Sequence, residues 1–362
     1  MSAYYIGVMS GTSLDGVDVV LCEITTTTCK LHTAYEHPFA PELKAAILHT
    51  IANPTTLQDI GILNHRLGHL FADAITTLLA RSPVSTKEIR AIGLHGQTLW
   101  HEPHGNYPFS MQLGDATIVA VETGIDVVCD FRSTDVALGG QGAPFAPAFH
   151  QFMFHKVSPS TCIVNIGGMA NITVLGEPLL GYDTGPGNVL MDLWIAQHRH
   201  TPYDKEGLWA QGGTVNTVLL ERFLQDPYFS QSAPKSTGRE HFNAQWLHDR
   251  LSHLHVNAQD VQATLLELTV QSIVDEVGKR PCELLLVCGG GVHNSFLMQR
   301  LNETLPKTQV SPTDAYGVSS TFMEAMAFAW LAYKRINKEA VPLNEVTGAR
   351  NNAILGGVYA GH

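Results

Sequence analysis

The chain has 362 residues, 44% of them hydrophobic and 15% charged; a single core stops growing at roughly 250–300 residues, so two lobes are expected. The net charge of −11 argues against sequence-independent binding to nucleic acid or an anionic membrane surface. No apolar run reaches the ~18 residues a membrane span needs, the first residues lack the basic and apolar regions of a signal peptide, and no C-x-x-C pair occurs among the six cysteines. These features predict a cytoplasmic protein with buried thiols rather than a disulfide framework.

Strands and helices alternate, which predicts an α/β fold. Residues 4–8 and 17–24 read as paired strands around a loop of Gly, Ser, Thr and Asp. Residues 45–52 and 60–79 read as helices. Residues 89–94 read as a short strand, 116–123 as a helix and 126–129 as a strand. The glycine-rich stretch 139–144 breaks the pattern, and the lobe boundary is placed just after it, giving lobes 1–150 and 151–362. The second half repeats the opening plan with strands at 162–166 and 171–175 around Gly167-Gly168, an architectural echo without sequence identity. A strand at 179–182 ends at Asp183, and a helix follows from Val189 with Asn188 as its expected N-cap. Leu266, Val270, Ile273 and Val277 fall at helical spacing. Residues 284–288 form an apolar strand that stops at Gly289-Gly290-Gly291 before a helix from about Asn294. Residues 320–335 read as a last long helix.

Three glycine-rich tips therefore follow three strands. Glycine at a strand end lets backbone N–H groups approach a phosphate without a Cβ in the way, and Ser10, Thr12 and Ser13 add hydroxyl donors. Neither a G-x-x-x-x-G-K-[ST] loop nor a G-x-G-x-x-G after a strand occurs, which excludes a P-loop and argues against a dinucleotide site. Two hairpin tips clamping phosphates, with the third beside adenosine, suit the pattern; tight turns of an α/β fold are the plainer alternative. Asp15 either makes the turn or meets the phosphates through water-bound Mg²⁺, and Asp18 reads as a structural hydrogen-bonding residue. Asp183 has the position of a general base at a ligand crevice, with an Asx-turn as the alternative. His65 and His69 are four apart on a helix, but no H-E-x-x-H or Cys pair accompanies them, so they read as solvent-facing or half-buried histidines rather than ligands. No G-x-S-x-G elbow supports hydrolase chemistry.

Several blocks resemble the anhydro-N-acetylmuramic acid kinases of bacteria: Gly7-Val8-Met9-Ser10-Gly11-Thr12-Ser13-Leu14-Asp15-Gly16-Val17-Asp18, Gly93-Leu94-His95-Gly96-Gln97-Thr98, Gln112-Leu113-Gly114-Asp115, Asn165-Ile166-Gly167-Gly168, Asp183-Thr184-Gly185-Pro186-Gly187-Asn188 and Pro234-Lys235-Ser236-Thr237-Gly238-Arg239. The resemblance spans nearly the whole chain. It implies a two-lobe actin-like ATPase (sugar kinase) fold with the active site in an interlobe cleft, ATP with Mg²⁺, a homodimer, and 1,6-anhydro-N-acetylmuramic acid from cell-wall recycling as substrate. It makes Asp183 the base that activates water for attack at C1 while O6 takes the γ-phosphoryl group. Gly11, Thr12, Ser13, Leu14, Asp15, Gly16, Val17 and Asp18 would hold the phosphates with Gly167 and Gly168, and Gly289, Gly290 and Gly291 would lie beside adenosine. Thr98, Arg132 and Glu324 fall in segments that would contact the sugar; a strand cap, a salt bridge to Asp135 and a helix-dipole acid are their respective alternatives. Lys235 and Arg239 stay unassigned between cleft and solvent. An ordinary amino-sugar kinase of the same fold and an ATP-gated binding module are the rival readings.

Overall fold

A computed structural model describes every residue except Met1, Thr12, Ser13, Asp15 and Pro159. The sequence expectations that rest on Thr12, Ser13 and Asp15 therefore lie outside the described residues. The chain divides into two compact units, residues 1–153 with 322–362, and residues 154–321.

The first unit is built on a seven-stranded sheet. Strands β1 (Ala3–Ser10), β2 (Gly16–Ile24) and β3 (Cys29–Pro38) form an antiparallel meander. On the other side β1 runs parallel to β4 (Ile89–Glu102), which pairs with β5 (Phe109–Leu113) and β6 (Val127–Cys129). The terminal strand Gly357–Tyr359 closes the edge beside β6.

Alternation along β1 explains its near-continuous apolar run, since both faces are covered. Ile6 and Val8 join the core made with Leu67, Phe71 and Ile75 of the Leu57–Ala80 helix. Tyr5 and Gly7 face the other way, toward the Met323–Ile336 helix, where Tyr5 meets Tyr333 edge to face at 5.6 Å. A Cβ on Gly7 would overlap the Ala325 carbonyl, and one on Gly93 the Phe328 carbonyl. Helix and sheet backbones thus approach closely because neither glycine carries a side chain.

This contact corrects the domain expectation. Their place in the chain predicts residues 322–362 for the second lobe. They belong to the first, because the Met323–Ile336 helix buries its small-residue face on β1 and β4 and the last strand pairs with β6. The first boundary, expected after residue 150, falls after residue 153.

The second unit has a five-stranded sheet. Its meander is β7 (Thr161–Ile166), β8 (Met169–Val174) and β9 (Leu180–Pro186), with β10 (Leu284–Cys288) and β11 (Gln309–Pro312) added parallel to β7. The plan of meander plus parallel strands repeats that of the first unit, as the two glycine hairpins suggested. The Ala258–Val277 helix packs Leu265, Leu268 and Ile273 into the core of this sheet. Among the described residues, no disulfide joins any of the six cysteines and no helix is long and apolar enough to cross a membrane.

Candidate active site

In the first unit the opening hairpin closes with Ser10 paired to Val17. Leu14 anchors the tip: its side chain is buried in the core, its φ is 55°, and its N–H donates to the Gly11 carbonyl at 3.3 Å. Val17 is likewise core. Any phosphate contact from these two positions falls to the backbone. Ser10 Oγ donates to Gln97 Oε1 at 2.5 Å, which ties the tip to the parallel strand β4.

Asp18 faces Met9 and Glu36 across its neighbouring strands. Burial, with the Glu36 and Glu324 carboxylates nearby, pushes its carboxyl up to about 7. Among the described residues no donor reaches that carboxyl, so none of them makes the structural hydrogen bond expected of it. Glu324 sits exposed in the first turn of the Met323–Ile336 helix and acts on both Asp18 and Arg132.

Arg132 donates from Nη1 to the Gly142 carbonyl and from Nη2 to His95 Nε2, each at 2.9 Å. Burial, then the Arg132 charge, holds His95 down to about 3, so His95 is neutral and its Nε2 accepts. Burial brings Arg132 down to about 10, which leaves it charged at neutral pH. Its Nε is buried with no partner among the described residues. The alternative pairing with Asp135 is not formed: Asp135 accepts instead from Gly142 N–H and Thr347 Oγ1, each at 2.7 Å. Thr98 Oγ1 accepts from Gln112 Nε2 at 3.3 Å. A cavity of about 460 Å³ opens beside these groups, lined by Asn64, His95, Gln112, Asp115, Asp130 and Ser133 among others. Thr98 and Arg132 thus each bond to a residue that lines it.

In the second unit the Gly167-Gly168 tip is locked to the turn that starts the Val189–Arg199 helix. The Gly167 carbonyl accepts from Asn188 N–H, and the Gly168 carbonyl from Gly187 and Val189 N–H. The carbonyl oxygens that would repel an anion are therefore occupied. Asn188 does not cap the helix through its side chain, as the sequence suggested; its Nδ2 donates to the Ile166 carbonyl at 3.3 Å. Gly289 has φ +79°, and a Cβ there would overlap Asn165 Oδ1 at the end of β7. The 289–291 tip thus lies against the 165–168 tip, so two of the three glycine clusters meet in one unit.

Asp183 does not terminate its strand; β9 runs through it to Pro186. The 234–239 loop and the segment before it hold it on several sides. Its N–H donates to the Lys235 carbonyl at 3.0 Å, and its carbonyl accepts from Tyr228 OH at 2.7 Å. Its Oδ2 accepts from Ser236 Oγ at 3.0 Å and Thr237 N–H at 2.9 Å. Among the described residues no donor reaches Oδ1. Burial raises the carboxyl above its usual range, Glu240 adds to the rise, and the Ser236 and Thr237 bonds oppose it. Arg239 Nη2 lies 3.8 Å from where a Cβ on Gly168 would sit, which brings its guanidinium to the glycine tip. Lys235 is neither in a cleft nor solvated: Nζ is buried against Glu276 Oε1 at 2.8 Å. Sequence reasoning missed Glu276, whose only signal is a carboxylate beside the apolar stripe of Ile273 and Val277.

The profile of the family described as anhydro-N-acetylmuramic acid kinase matches residues 3–361. A protein of that name from Sulfurovum sp. is 59% identical over 98% of this chain and 98% of its own. One from Sulfurimonas denitrificans is 54% identical over 99% of this chain and 100% of its own. Among solved structures, ligand-bound xylulose kinase from Lactobacillus acidophilus aligns with TM-score 0.47 at 10% identity, covering 98% of this chain and 94% of that one. With a profile match across both units and close relatives aligned end to end, the chain belongs to the anhydro-N-acetylmuramic acid kinase family.

Proposed function

We propose that this protein is an ATP-dependent kinase that opens 1,6-anhydro-N-acetylmuramic acid with water and phosphorylates the freed O6. The observation that carries the reading is the state of Asp183: half-buried, fixed through Oδ2, and with Oδ1 clear of donors from the described residues. A carboxylate so held is pre-aimed to take a proton, and burial makes it a stronger base than a solvated aspartate.

Asp183 accepts a proton from water as the water oxygen bonds to C1 of the sugar. The C1–O6 bond breaks and its electron pair stays on O6. O6 bonds to the γ-phosphorus of ATP, the bond from that phosphorus to the bridging oxygen breaks, and ADP leaves. Capture of the phosphoryl group quenches charge that would otherwise build up on the departing O6, so the two steps support each other.

The glycine tips at 11–16 and 167–168 would supply backbone N–H groups to the phosphates, with Arg239 adding a cation beside the second tip and 289–291 lying on the adenosine side. The charged Arg132, with donors to spare, suits the sugar's lactyl carboxylate, which a guanidinium can meet through two parallel bonds. Thr98 and Glu324 would complete the sugar contacts. Mg²⁺ carried on ATP fits the donor chemistry of the first unit: Asp18 offers oxygen ligands, its carboxyl is raised first by burial and then by Glu36 and Glu324, and a cation would relieve the repulsion from those two. Among the described residues no group of three or more His, Cys, Asp or Glu is arranged to hold a metal; the ion would be held through water by Asp18 and Asp15 and otherwise by phosphate. When bound, the ion would neutralise phosphate charge.

Asp183→Asn tests the reading. The variant should bind ATP as before while sugar-dependent ADP release falls on the order of a hundredfold or more. Near-normal turnover would remove Asp183 as the base.

A further inference from the structure

Behind Asp183 lies a buried charge that the chemistry above does not use. Glu276 sits near the end of the Ala258–Val277 helix, and its side chain and that of Lys235 are each only 2% exposed. Glu276 Oε1 meets Lys235 Nζ at 2.8 Å; Oε2 meets Lys279 Nζ at 2.8 Å and accepts from Tyr182 OH at 3.2 Å. The Lys235 ammonium also reaches the Tyr228 and Phe229 carbonyls at 3.4 and 3.5 Å. Burial of such a pair costs several kcal/mol per ion, and packed apolar residues often serve stability as well or better. Stability therefore does not account for it.

Its connections do. Tyr182 immediately precedes Asp183 on β9. Lys235 opens the loop whose next two residues bond to Asp183 Oδ2, and its carbonyl takes the Asp183 N–H. Tyr228, held by Lys235 at its own carbonyl, donates its hydroxyl to the Asp183 carbonyl. We propose that Glu276 is a positioning residue for Asp183: one buried carboxylate grips the chain on both sides of the base, through Tyr182 on the strand and Lys235 on the loop.

The proposal rests on Asp183 acting as the base. With the grip released, the 234–239 loop loosens and the Ser236 and Thr237 bonds to Oδ2 weaken. Those bonds favour the charged carboxylate, so with Asp183 still covered by the loop their loss raises the carboxyl further. The other ionisable groups facing Asp183 are Glu240 and Tyr228, and neither is altered by the substitutions below.

The test uses the full chain with ATP, Mg²⁺ and 1,6-anhydro-N-acetylmuramic acid, and follows kcat and KM across about pH 5 to 9. Glu276→Gln keeps the shape but strands the Lys235 charge and can fail to fold. The double variant Lys235→Met with Glu276→Leu replaces the pair by apolar groups, and Tyr182→Phe removes the grip on the strand, together with the bond that the Tyr182 hydroxyl accepts from Arg280 Nη1 at 3.1 Å. In folded variants kcat should fall by roughly tenfold or more, with both KM values within about twofold. The acid limb of the kcat profile should move to higher pH, and Ser236→Ala should move it the same way. A merely structural role lowers the amount of folded enzyme and leaves the limb in place. If Asp183→Asn is inactive while Tyr182→Phe and the double variant keep both kcat and the acid limb, the positioning role is overturned and the base stands. If Asp183→Asn is itself active, the underlying reading fails first.

Discussion

Asp18→Asn should make the ligand-free protein more stable, and by an amount that depends on pH. The Asp18 carboxyl is raised from 3.8 to about 7 by burial and by Glu36 and Glu324. That rise corresponds to a ceiling of about 4 kcal/mol; partial solvent access and side-chain relaxation bring the expected effect nearer ~1–2 kcal/mol. The sign follows from proton binding. Below about pH 4 Asp18 is protonated whether the chain is folded or not, so it makes no difference. Between about 4 and 7 the unfolded carboxyl ionises while the folded one keeps its proton, and stability is lost as pH rises. Above about 7 the loss is complete. The amide never ionises, so the variant's advantage in Tm should be near zero at about pH 4 and reach a few degrees at about pH 8. Paired thermal melts over this range, without nucleotide, measure it. A difference that stays flat with pH, or a variant less stable at pH 8, would refute the reasoning. The same variant should lose activity with Mg·ATP, because the repulsion removed is what a cation would relieve.

Two further outcomes follow from the first unit. Arg132→Lys keeps the charge but puts one ammonium where two separate guanidinium nitrogens reach the Gly142 carbonyl and His95 Nε2, and it loses the fork that suits a carboxylate; KM for the sugar should rise roughly tenfold, in line with the loss of a charged hydrogen bond, with a smaller change in kcat by steady-state assay. Gly93→Ala drives a Cβ into the Phe328 carbonyl, an overpacking cost of roughly 3 kcal/mol or more, read as a lower Tm.

Local pattern carried much of this. The hairpin around 11–16 was legible because apolar runs with β-branched residues flank a stretch only turns tolerate, and the second hairpin repeated it. Strands β3 and β5 carry no clear signal in the sequence: Cys29–Pro38 mixes charge and polar residues because it is the edge of the sheet, and Phe109–Leu113 leans on β4 at a rim. Strand β4 runs to Glu102 rather than stopping at residue 94, since its second half is supported by β5, a partner local sequence does not announce. The return of residues 322–362 to the first unit is a long-range event fixed by Gly7 and Gly93, and a reading in chain order has no term for it. At the site, Asp183 stood out by its turn, but the residues that hold it come from 45 to 54 positions away. Glu276, farther still, was hidden as one carboxylate in a helix.

The most direct test of the central claim is product analysis in ¹⁸O-labelled water. The protein is incubated with ATP, Mg²⁺ and 1,6-anhydro-N-acetylmuramic acid, and the product is examined by mass spectrometry soon enough to precede exchange at the anomeric carbon, with unlabelled product aged in the same water as a control. Coupled opening and transfer predicts a 6-phosphate carrying the label on the C1 oxygen and none in the phosphate. A protein that leaves the anhydro sugar untouched, yet phosphorylates the already opened N-acetylmuramic acid, would contradict it.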